Sequence, residues 1–207
     1  MATPRSTVAD GEASAAAAGI ISREGAEQVM NHVLSKPELR RAKLDRAAFA
    51  ALARNPVTVV LDRVTGFYNI GAIFRLCDAF LVERLVICGA EPLTLRKRKL
   101  VQAATGSQRW VPWDEAPDAA AVARDAKRSG SWVAVVELTA DSVDVAAMRP
   151  RYPAMLVLGN EHSGISPDVL AYADQAIAIP MLGMTNSLNV ATAGAIVLHA
   201  LVQRLRD

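Results

Sequence analysis

From residue 57 onward the chain shows two kinds of apolar pattern. One kind is short and continuous: "VTVVLD" (57–62), "RLVIC" (84–88), "RWVPW" (109–113), "WVAVVEL" (132–138), "AMLVLG" (154–159) and "AIAIPM" (176–181). Runs that are apolar throughout, rather than at every second position, suit strands covered on both faces. The other kind recurs at three and four residues. "NIGAIFRLCDAF" sets Ile70, Ile73, Phe74, Cys77 and Phe80 on one helical face, and "DAAAVARDAKRSG" closes on a glycine that stops a helix. "SPDVLAYA" offers Ser166 as N-cap with Pro167 at the first helical position, and a last helix is predicted from about Asn189 to Arg206. Strands alternating with helices predict an α/β fold. Its sheet is mostly parallel and six-stranded, with right-handed crossovers and helices on both faces.

Before residue 57 the pattern differs. Residues 1–24 are Ala, Ser, Thr and Gly with almost no large apolar side chain, the composition of a disordered tail. Residues 25–55 read as a helical extension. Val29, Met30, Val33 and Leu34 form one stripe, Leu44, Phe49 and Leu52 a second apolar set, and Pro37 separates the two. The division expected is a tail (1–24), a helical extension (25–55) and one α/β domain (56–207).

Composition narrows the class. An apolar share of 52% against 21% charged is that of a core-rich globular chain, and a formal charge of +2 with pI near 8.7 is too mild to argue for nucleic acid alone. Cys77 and Cys88 lie in apolar contexts and read as buried thiols of a reducing compartment; His32, His162 and His199 are too scattered for a zinc spacing. No apolar run reaches the roughly 18 residues of a membrane span, and "ASAAAAGII", preceded by Asp10 and Glu12, is no signal sequence. The expectation is a cytoplasmic protein.

Polar residues gather after three of the strands. In an open parallel sheet, ligands bind beyond the carboxyl ends of the strands. "DRVTGFYNIGAIFR" follows 57–62, "GNEHSGIS" follows 154–159, and "LGMTNSLN" follows 176–181. A parallel sheet would bring these loops to one edge, where Asn69, Arg75, Glu161, Ser187 and Asn189 could meet. Each has a plainer reading. Asn69 suits the N-cap of a helix beginning at Ile70, and Ser187 or Asn189 could cap the last helix. Arg75 could be a solvated flank, and Glu161 a charge near a helix N-terminus. His162 and Ser163 lack the G-x-S-x-G elbow of a hydrolase, and neither G-x-G-x-x-G nor a P-loop occurs.

Taken together, the three segments resemble the three motifs of the SpoU–TrmH branch of the SPOUT RNA 2′-O-ribose methyltransferases. "NIGAIFRLCDAF" is similar to the first, with arginine six residues after asparagine. "LVLGNEHSGIS" is similar to the second and "IPMLGMTNSLNVATA" to the third, while "ATGSQRWVPW" resembles the stretch after the first. The family's first motif continues "DAFG", where this chain has Leu81 after Phe80. The resemblance implies methyl transfer from S-adenosylmethionine, without a metal, to a ribose 2′-hydroxyl of tRNA or rRNA. It also implies a deep C-terminal trefoil knot and a homodimer joined through the first-motif and final helices. The donor's slot would be formed by Leu138, Leu158, Gly159, Ile179, Met181, Ser187 and Leu188, with Ala191, Ala193, Gly194 and Ala195 letting the last helix pack closely. Arg75 is the implied catalytic residue. A guanidinium is a poor free base, so its expected role is to grip an RNA phosphate, with Asn69, Glu161, Ser187 and Asn189 positioning it, the ribose or the loops. RNA contact is expected from Arg96, Lys97, Arg98, Lys99 and Arg109, and from a second basic set with Arg40, Arg41, Lys43 and Arg46. The competing reading is a non-catalytic RNA- or ribosome-binding protein on the same fold.

Overall fold

A computed structural model describes residues 33–41, 43–89 and 97–206; the side chains of Arg40, Arg46 and Lys97 fall outside that description. The tail, Val29, Met30 and Arg96 also lie outside the described residues. The chain forms two units, Met1–Ala53 and Arg54–Asp207. In the first, α1 (Lys36–Arg41) and α2 (Arg46–Ala50) are described, with Asp45 capping α2 by accepting from Ala48 N at 2.8 Å. Pro37 sits in the first turn of α1, where a missing N–H costs nothing. Val33, Leu44 and Leu52 are exposed and Phe49 half-buried, so within this unit they form no buried set.

The second unit is a seven-stranded, all-parallel sheet in the order β3-β2-β1-β6-β4-β7-β5. The strands are β1 (Asn55–Asp62), β2 (Val82–Cys88), β3 (Trp113–Ala116), β4 (Trp132–Val136), β5 (Val143–Asp144), β6 (Ala154–Gly159) and β7 (Gln175–Ala178). The expectation of six strands missed β5, whose two residues are too few to leave a periodic signal. Three predicted runs are also longer than or displaced from the observed strands. "RWVPW" is mostly not a strand: Arg109 ends a 3-10 turn, Pro112 brings no N–H, and pairing starts at Trp113. The 176–181 run leaves the sheet after Ala178, ahead of Pro180, and the 132–138 run leaves it after Val136.

Helices cover both faces. On one face α3 (Phe67–Ala79), α4 (Lys97–Ala104) and α7 (Val190–Gln203) pack Phe74, Leu100 and Leu201 against Val59, Leu61, Leu156 and Leu158. On the other, α5 (Ala119–Arg128) and α6 (Pro167–Leu170) bring Ala123 and Val169 to Val60, Val133, Val135 and Val157. The strands are thus apolar on both sides, which is why they read as continuous runs. Gly71 lets α4 approach α3: a Cβ there would lie 2.7 Å from Ala103 C and 2.8 Å from Ala104 N. Burial pushes the free thiols of Cys77 and Cys88 up to about 12, so both behave as small apolar groups. No described helix is long and apolar enough to cross a membrane.

The topology determines where a site can lie. The chain winds outward from β1 through β2 and β3, crosses to build β4 and β5, then returns β6 between β1 and β4. Asp62, Val136, Gly159 and Ala178 therefore end four strands on one edge, with Asp62 in register with Gly159 and Val136 with Leu158. That edge carries the three polar loops.

Candidate functional site

Three residues far apart in sequence close into a hydrogen-bonded row above this edge. Asn69, in the first turn of α3, donates from Nδ2 to Glu161 Oε1, and its Oδ1 accepts from Asn189 Nδ2 at 2.9 Å. Asn189 is also the N-cap of α7, its Oδ1 accepting from Ala191 N at 3.0 Å and Thr192 N at 3.4 Å. One amide therefore caps a helix and joins the row. Asn69 caps nothing. Helix α3 begins three residues earlier than expected, at Phe67, with Gly66 in the cap position, and this frees the Asn69 amide for the row. Glu161 is engaged by Asn69 and makes no ion pair with Arg75 among the described residues.

A cavity of about 320 Å³ opens beside the row. Leu138 follows β4, Leu158 and Gly159 end β6, Ile179 and Met181 follow β7, and Ser187 and Leu188 precede α7. All seven line the cavity together with Glu137, Asn160, Glu161 and Asn186. Apolar walls with a few converging polar groups, at the end of parallel strands, are the usual make-up of a small-molecule site. Ser187 is exposed and caps no helix; its carbonyl accepts from Thr185 Oγ1 at 3.0 Å. Among the described residues no group of His, Cys, Asp or Glu could hold a metal ion.

The loop after β6 is held from three sides. Asn160 Oδ1 accepts from His162 N and Ser163 N at 2.9 and 3.1 Å, and its Nδ2 donates to Arg63 O at 2.7 Å. Asp62, 3% exposed, accepts Ser166 N at 2.7 Å and Arg63 Nε at 3.0 Å. Burial alone would raise the Asp62 carboxyl; the Arg63 guanidinium and the Ser166 N–H outweigh it and hold the group below its ordinary 3.8. Glu137 Oε2 accepts Ile165 N at 3.0 Å, while Oε1 accepts Leu138 N at 3.0 Å. Sequence reasoning passed over Asp62, Asn160 and Glu137. Each looked like the polar end of an apolar run, and only the fold shows that all three shape one loop.

Arg75 lies on the solvent side of α3, two turns along the same stripe as the exposed Tyr68. No hydrogen bond or ion pair engages it among the described residues, and it does not line the cavity. Of the expected RNA contacts, Arg98 and Lys99 are exposed on α4, Lys99 Nζ standing 6.0 Å from the Phe67 ring centroid at the start of α3. Arg109 is exposed in its 3-10 turn. The backbone of Lys97 opens α4, whereas Arg40 and Arg41 close α1 and belong to the first unit.

Comparisons with known proteins converge. The sequence profile of the SpoU rRNA Methylase family matches residues 56–199. A tRNA (guanosine(18)-2′-O)-methyltransferase of Aquifex aeolicus (strain VF5) is 32% identical over 180 residues, 86% of this chain and 82% of the relative. The crystal structure of the A. aeolicus TrmH/SpoU tRNA modifying enzyme superposes with a TM-score of 0.67 at 31% identity, covering 76% of this chain and 79% of that one. The SpoU methyltransferase AviRb of Streptomyces viridochromogenes, solved in complex with AdoMet, matches with a TM-score of 0.66 at 25% identity over 89% of this chain and 78% of its own.

Proposed function

This chain belongs to the SpoU rRNA methylase family, and we propose that its cavity and hydrogen-bonded row carry a methyl group from S-adenosylmethionine to a ribose 2′-hydroxyl of tRNA or rRNA. The observation that carries the reading is the Asn69–Glu161–Asn189 row, which binds the three motif segments together beside the cavity. S-adenosylmethionine, when bound, supplies an electrophilic methyl on a sulfonium. Leu138, Leu158, Ile179, Met181 and Leu188 offer its adenine an apolar slot, Gly159 lets main chain come close, and Ser187 stands at the rim. The row keeps the three loops in register. Arg75 presents a free guanidinium that would grip the RNA phosphate beside the reacting ribose and stabilise the developing alkoxide. Arg98, Lys99 and Arg109 extend that positive surface along the backbone.

The same reading includes the trefoil knot of the family and a cytoplasmic location beside the RNA substrate. It also includes a homodimer. Leu182 and Met184 are almost fully exposed and Ile196 is exposed on α7, apolar surface that a second copy would cover. Sedimentation is expected to give the mass of two chains; a monomer at micromolar concentration removes that part of the reading.

The reaction is tested by transfer of labelled methyl from S-adenosylmethionine into unmodified tRNA and rRNA, followed by alkaline digestion. A 2′-O-methyl group blocks cleavage at its own linkage, so the label is expected in alkali-resistant dinucleotides. Label recovered in single nucleotides would place the methyl on a base and overturn the ribose assignment.

A further inference from the structure

Among the described residues, three ionisable side chains line the cavity, Glu137, Glu161 and His162, and no lysine or arginine does. Glu161 is committed to Asn69. Arg63 reaches the loop after β6 through Gly164 O at 3.3 Å, but Asp62 already pairs with it. Glu137 has no such cation among the described residues. Two main-chain N–H groups, Ile165 and Leu138, each take one of its oxygens at 3.0 Å and fix the carboxylate at the cavity wall. Each oxygen keeps a further lone pair. A bracing role explains the two hydrogen bonds, since a carboxylate can accept both N–H groups on separate oxygens. The charge that comes with it stands at a cavity lined, among the described residues, by no lysine or arginine.

We infer that Glu137 makes the cavity prefer the methyl donor over its demethylated product. The inference rests on the reading of the cavity as the donor site. S-adenosylmethionine bears a sulfonium, an ammonium and a carboxylate, and is a net cation. S-adenosylhomocysteine has a thioether in place of the sulfonium and is net neutral. A fixed carboxylate therefore attracts the donor more than the product and weakens its hold once the methyl has left. At the separations a pocket of this size allows, with the permittivity of a partly solvated site, one unit charge changes affinity by about tenfold.

The test is calorimetric titration of S-adenosylmethionine and S-adenosylhomocysteine into the wild type and Glu137→Gln at low salt and pH 8. The amide keeps one acceptor oxygen and gives up the other hydrogen bond with the charge; the loop change meets both ligands alike, so the difference between donor and product reads the charge. The expected result is donor affinity reduced about tenfold more than product affinity, with product binding itself certifying the folded pocket. Equal losses for both ligands, or no change for either, would leave Glu137 as a brace and overturn the inference. Failure of both ligands to bind the wild type would overturn the donor-site reading as well.

Discussion

Arg75→Lys is expected to lower the turnover of RNA ribose methylation about a hundredfold, and Arg75→Ala about a thousandfold, while S-adenosylmethionine binds both variants as it binds the wild type. The size follows from what the side chain would do. Arg75 is exposed, unengaged among the described residues and outside the cavity, so with the cavity as the proposed donor site its replacement should leave donor binding and the fold intact. A phosphate beside the reacting ribose would be its partner. Guanidinium holds two phosphate oxygens with two parallel N–H donors, whereas ammonium keeps the charge and loses the fork. The loss should therefore be large for lysine and larger for alanine. A single-turnover assay with saturating donor and RNA separates this from weaker RNA capture. If the lysine variant kept most of the rate, the bidentate clamp would be wrong; if donor affinity fell with it, Arg75 would be acting through the cavity.

How far the fold and site were legible differs from element to element. The α/β class and five of the seven strands were readable because a strand covered on both faces writes itself as a continuous apolar run; β3, "WDEA", shares only Trp113 with the run expected there, and β5 is too short to leave one. Convergence of Asn69, Glu161 and Asn189 was readable for a related reason: a parallel sheet puts the loops after β1, β6 and β7 on one edge. What each residue does there was not. Asn69 preceding an apolar helical stripe looks the same whether it caps the helix or sits inside its first turn, and the observed start at Phe67 is set by how Gly66 enters the helix. Asn189 was expected either as a cap or as a site residue; it caps α7 and also donates to Asn69 in the hydrogen-bonded row. Glu137 was hidden for another reason. "WVAVVEL" predicts a strand through 138, and nothing local says that the chain leaves the sheet after Val136 to turn a carboxylate toward Ile165. Arg109 shows the reverse error, since an apolar neighbourhood around Trp110 and Val111 imitated a strand where a 3-10 turn packs Val111 inward.

Gly159→Ala is expected to cost about 1–3 kcal/mol of stability, a fall in melting temperature of about 3–10 °C for a chain of this size, and more than about tenfold in S-adenosylmethionine affinity. The reason is steric and local. A Cβ on residue 159 would stand 2.5 Å from Gly164 C, 2.6 Å from Ile165 N and 2.7 Å from Gly164 O, all main-chain atoms with no rotamer to escape into. Relief requires moving the Asn160–Gly164 turn. That turn is held by its own paired bonds, Asn160 N to Gly164 O at 3.1 Å and Gly164 N to Asn160 O at 2.9 Å, and next to it Ile165 N and Ser166 N are held by Glu137 and Asp62. Displacing the turn weakens these bonds together and shifts Asn160, Glu161 and His162, all of which line the cavity. Strain in a loop that the donor must find in its native shape appears as lost affinity. Gly183→Ala supplies the control: nothing lies within 4 Å of a Cβ built there, so melting temperature and donor affinity should both stay at the wild-type values. Thermal denaturation and calorimetric titration of the two variants decide the matter. A Gly159→Ala protein with unchanged donor affinity would mean that the loop after β6 does not shape the donor site, and the cavity would have to be assigned to another ligand.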